Sequence, residues 1–153
     1  MANADSVAQF YLDSFGNGRI GLATNVSLVA TGNAVATIPL LSGGLTQGSN
    51  VATSGAVIVR RVTVNNPSAT VSNANVSILT SNDGNTSNAV VLNALLSNLT
   101  AAGTFTDLTI AAPYLANTVV SGSNTNALFV KVNTASGNNN TVNFAVFGDV
   151  VTF

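Results

Sequence analysis

The stretch LFVKVNTASGNNNTVNFAVF, residues 128–147, decides the fold class. Leu128, Val130 and Val132 alternate with Phe129, Lys131 and Asn133. After the loop ASGNNN (135–140), Val142, Phe144 and Val146 alternate with Asn143, Ala145 and Phe147. A period of two puts one set of side chains on a buried face of an extended strand and the other set on the opposite face. Two such segments around a Gly/Asn-rich loop predict a β-hairpin.

Toward the N-terminus the same signal recurs. Ala56 to Asn65 predicts a strand with Ile58, Val62 and Val64 on one face and Val57, Val59 and Thr63 on the other. Pro67 ends it, because proline cannot donate to a ladder. Ala69 to Thr80 runs into NDGN (82–85), a turn sequence, since Asp-Gly tolerates positive φ. Val26 to Ala30 and Val35 to Leu40 flank TGN (31–33) and read as another hairpin; Thr104 to Ile110 reads as a strand before Pro113. Ala89 to Leu99 fits two readings: Val90 and Val91 suit a strand, while Ala94, Leu95 and Leu99 suit a short helix. About seven or eight short strands with little helix predict an all-β fold, a sandwich or barrel. Residues 1–18 differ, with Phe10, Tyr11 and Phe15 gathered ahead of GNG (16–18). They read as an N-terminal arm or short helix before a sandwich domain at 19–153.

Composition removes most chemistry. The 153 residues include only four basic and five acidic side chains, against roughly 38 charged residues in an average domain of this length. With no Cys, disulfides and thiolate-ligated metals are excluded. With no His, imidazole catalysis and imidazole ligation go too. Four cations are too few for the phosphate contacts of an ordinary DNA-binding protein, so no nucleic-acid partner is expected. The mean hydropathy of +0.44 invites a membrane reading, but a spanning helix needs about 20 mostly apolar residues. The densest run, Ala89 to Leu99, is interrupted by Asn93, Ser97 and Asn98. The N-terminus has neither the basic start nor the apolar core of a signal peptide. The expectation is a chain made in the cytoplasm that enters no membrane.

The motifs present are weak. GNGRIG (16–21) matches G-x-G-x-x-G, but strands follow it where a helix is needed, and no acid lies between Asp13 and Asp83. A flexible hinge is the expected role of these glycines. NDGN (82–85) has one carboxylate and no terminal Glu, so a turn is expected there, not a calcium loop. No G-x-S-x-G occurs. No catalytic residue, cofactor, metal or small-molecule substrate is expected, and the chain does not read as an enzyme. Arg60-Arg61 is the one charge cluster. On a regular strand these two point to opposite faces, which places one of them among Ile58, Val62 and Val64. Arg60 and Arg61 then serve either as structural ion pairs or rim residues, or as intersubunit pairs with Asp107 and Asp149.

From Arg60 onward the chain carries RRVTVNN (60–66), VSILT (76–80), LT (99–100), DLTI (107–110), LFVKVNT (128–134) and VFGDVV (146–151). This series resembles the small β-sandwich head decoration, or cement, proteins of tailed bacteriophages. The resemblance implies a jelly-roll-like antiparallel β-sandwich with an N-terminal arm. It implies a homotrimer on the capsid exterior that bridges major capsid protein subunits and stabilises the expanded shell. Phe10, Tyr11 and Phe15 are the expected coat or subunit contacts. The competing expectation is a receptor- or glycan-binding module of a phage tail or fibre, which needs exposed aromatic residues beside a shallow polar site.

Overall fold

The computed structural model describes residues 18–40, 56–111, 119–120 and 127–151. It is all-β, two antiparallel sheets forming a β-sandwich. The strands are β1 Gly18–Ser27, β2 Gly32–Pro39, β3 Ala56–Asn65, β4 Asn75–Leu79, β5 Ala89–Leu95, β6 Phe105–Leu108, β7 Val119–Val120, β8 Ala127–Thr134 and β9 Thr141–Val151. A first sheet runs β1-β9-β3-β6, with β7 also paired to β3, and a second runs β2-β8-β4-β5. Pairing therefore nests: β1 with β9, β2 with β8, β3 with β6, and β4 with β5.

The alternation read in 128–147 is correct, but its pairing is not. Leu128, Val130, Val132, Val142, Phe144 and Val146 are all buried in one core. Yet β8 pairs with β2 and β4, while β9 pairs with β1 and β3. The loop at 135–140 is a corner between sheets, not a hairpin turn. It is clipped to the end of β1: Leu28 N–H donates to Asn140 O (3.0 Å), and Ser136 N–H donates to Leu28 O (2.8 Å). The second expected hairpin fails in the same way, because β1 and β2 enter different sheets. Alternation reports which face is buried and is silent about which strand lies alongside.

The region 89–99 resolves as strand β5 over Ala89–Leu95, paired with β4 across the expected turn. That turn includes Gly84 at φ 75° and a single 3-10 turn at Thr86–Asn88. No α-helix occurs among the described residues. The hinge expectation for the glycine motif is also corrected at Gly18 and Gly21, which lie inside β1. Gly21 bridges Leu40, and a Cβ there would sit 2.8 Å from Leu40 Cδ2 and 3.2 Å from Pro39 O. Its lack of a side chain lets the edges of the two sheets approach.

The core lies between the sheets. Phe144, Leu28, Ile38, Ile78, Leu96, Leu99 and Leu128 are among its largest fully buried side chains. Each contributes about 1.5–3 kcal/mol relative to exposure.

Candidate functional site

The structure places the four charged residues singled out in the sequence together, on the outer face of the first sheet. The cause is a β-bulge. Val59 lies opposite Gly148 and Arg61 opposite Phe147, so Arg60 is an extra residue in β3. The insertion shifts the phase of the strand: Val57 and Val59 face the core before it, and Val62 and Val64 after it. The expected split of this strand into two apolar faces, with one arginine among Ile58, Val62 and Val64, is thereby corrected. Both arginines point outward.

Each then finds an aspartate of its own chain. Arg61 Nε donates to Asp107 Oδ1 at 2.8 Å, and its Nη2 donates to Oδ2, a two-pronged pairing. Thr63, directly opposite Asp107, donates its hydroxyl to the same Oδ1 at 2.7 Å. Arg60 Nε donates to Asp149 Oδ2 at 2.9 Å. The Arg61 side chain is 18% exposed and that of Asp149 is 52% exposed, so the first pair is the better shielded and the second is a rim pair. No ion pair across a subunit boundary is needed to satisfy either arginine. Further along this face, Arg19 on β1 and Arg61 on β3 flank the half-buried Phe147 on β9. The next outward row but one is Asn143, Asn65 and Phe105.

The outer face of the second sheet is different in kind. Asn133 Nδ2 donates to Asn75 Oδ1 (3.0 Å) and Ser77 Oγ (2.8 Å). Asn75 Nδ2 donates to Asn93 O (3.2 Å), and Asn93 N–H donates to Ser77 Oγ (3.0 Å). Asn93 adopts φ 49° where β5 bulges between Val91 and Ala94. Beside this amide ladder lie the buried Leu79, Ala89, Ala127 and Phe129, and Leu95 stands 55% exposed. Lys131 is the one charged residue on this face among the described residues, and its Nζ is held by Gly84 O at 3.1 Å. In the adjoining turn Asp83 Oδ1 accepts from Ser81 Oγ (2.6 Å) and Asn85 N–H (2.8 Å). These two hydrogen bonds, the Ser81 one foremost, hold its carboxyl below the usual value of 3.8.

Phe10, Tyr11 and Phe15, assigned to contacts in the sequence, lie outside the described residues. Among the described residues no group of three or more His, Cys, Asp or Glu is placed to hold a metal ion. No described helix is long and apolar enough to cross a membrane. The Asn–Ser ladder and the Asn143–Asn65–Phe105 row escape sequence reasoning, because each is assembled by register across strands far apart in the chain. No protein-family model, curated protein or solved structure matches the chain.

Proposed function

We propose that this chain is a capsid decoration protein of a tailed bacteriophage. In this reading it is a jelly roll that sits as a homotrimer on the capsid exterior and bridges subunits of the major capsid protein. The nested pairing β1/β9, β2/β8, β3/β6, β4/β5 supports the jelly-roll assignment, with β7 an addition alongside β3. The observation that carries the function is the outer face of the second sheet, whose Asn–Ser ladder and exposed Leu95 form a surface with one tethered ion. Covering such a face takes water from a single cation, Lys131, which already donates to Gly84 O, so little charge desolvation opposes modest contact area. Repetition over a shell multiplies that binding, and contacts available only in the assembled lattice stabilise the lattice by mass action. The N-terminal segment with Phe10, Tyr11 and Phe15 is the assigned grip on coat or sibling subunits.

Native mass measurement, followed by cosedimentation with expanded, undecorated capsids from the same source, tests the proposal. A trimeric mass and saturable binding are expected. Leu95→Arg should weaken binding at least tenfold while leaving the fold intact, and deletion of residues 1–15 should weaken it while sparing the sandwich. A stable monomer that never cosediments overturns the reading. The alternative, a receptor- or glycan-binding module of a phage tail or fibre, draws on Phe105, exposed on the first sheet.

A further inference from the structure

The outer face of the first sheet carries a row of three residues drawn from three strands. Asn143 on β9 lies opposite Asn65 on β3, and Asn65 lies opposite Phe105 on β6. Opposed residues of antiparallel strands share a face. The inward positions here are Val62, Val64 and Phe144, so the row points to solvent. Phe105 is 60% exposed, more than any other large apolar side chain among the described residues. Next to it, the Asn65 side chain makes no hydrogen bond among the described residues, leaving an amide N–H₂ and a carbonyl both unspent. Asn143 is oriented: its Oδ1 accepts from Asn25 N–H at 2.9 Å, and Asn25 holds φ 54° in a β1 bulge. That bond leaves Asn143 Nδ2 as a donor without a partner among the described residues.

We propose that this row binds a neutral saccharide. A pyranose ring has an apolar face of C–H groups that lies flat on a phenyl ring, and hydroxyls around its rim that donate and accept at once. Phe105 supplies the platform, and Asn65 offers donor and acceptor to adjacent hydroxyls. Asn143 offers a further donor two strand spacings away, about 10 Å from Phe105. That reach matches two linked pyranose rings. No residue of the row is charged, so a charged ligand finds no counter-ion within it, whereas sugar hydroxyls find every group they require. Phe105 and the amide ladder belong to different sheets, so saccharide binding is independent of capsid binding, and either proposal can fail alone. Weak single-site affinity is expected of a shallow platform, with display in many copies making it effective.

The test is a ¹H–¹⁵N NMR titration of the full chain with maltose, cellobiose, lactose and N,N′-diacetylchitobiose. At least one disaccharide should shift the Phe105, Asn65 and Asn143 resonances saturably. Phe105→Ala should weaken that binding tenfold or more with the remaining spectrum unchanged, Asn65→Ala should weaken it less, and Phe105→Trp should retain it. If no disaccharide shifts these three residues, or if Phe105→Ala binds as the parent does, the site is not there. Binding of aromatic peptides at the row with no saccharide response overturns the proposal equally.

Discussion

At the bulge in β3, Arg60 has no register partner on β9, and Gly148, opposite Val59, leaves open the space into which the bulged backbone presses. A Cβ at Gly148 would run into the backbone carbonyl of Ile58, and backbone cannot swing aside as a side chain can. Gly148→Ala is therefore expected to destabilise by about 3 kcal/mol, at the upper end of overpacking penalties. Gly103, at φ 84° with nothing within 4 Å of where a Cβ would sit, is the control. Gly103→Ala meets only the backbone penalty of the left-handed region, about 1 kcal/mol. Urea unfolding of both variants checks this, and equal midpoints would refute the close approach at the bulge. One glycine thus sustains the insertion that turns Arg60 and Arg61 to the same side. The sequence shows the two arginines as neighbours, and only the bulge makes them neighbours in space.

Among the elements, β4 and β5 form a local hairpin, and its turn has a built-in sensitivity to acid. Asp83 binds Ser81 Oγ and Asn85 N–H only as a good acceptor, and these bonds set its pKa below 3.8. A carboxyl depressed in the folded state contributes its full stability above the unfolded value and loses it as pH falls through the lower, folded value. The turn should therefore hold at neutral pH and loosen in acid, with its midpoint below 3.8. The Asn85 amide resonance should report that transition, and Asp83→Asn should abolish it. A midpoint at or above 3.8 would contradict the hydrogen bonding of the turn. The turn of this hairpin is legible in the sequence because Asp83-Gly84 carries its own turn chemistry, whereas β5 fits a strand and a short helix equally until it pairs with β4. The hairpins expected at 26–40 and 128–147 do not form, for the opposite reason. Their loops have turn-forming residues but lead into different sheets, held there by bonds such as Ser136 N–H to Leu28 O across the molecule.

Across the whole molecule, charge contributes little to stability. Arg60 and Arg61 are neutralised by Asp149 and Asp107 on one face, and exposed pairs of this kind give about 0.2–1 kcal/mol each. Raising monovalent salt from about 0.05 to 1 M shortens the screening length several-fold and should still move the melting temperature by less than about 4 °C. A larger shift, read by calorimetry at fixed pH, would show that ionic contacts matter more than apolar burial. The all-β class, the places of β3, β8 and β9, the inward sets on β8 and β9, the turn between β4 and β5 and the exclusion of thiolate and imidazole chemistry all follow from the amino-acid sequence. Those properties follow from side-chain identity and local period, which need no distant partner. Tertiary structure alone decided the nested pairing of the strands, the side to which Arg60 and Arg61 point, and the two outward rows of asparagine. These depend on register between strands as far apart as β1 and β9, where a single inserted residue reverses the face that every later side chain meets.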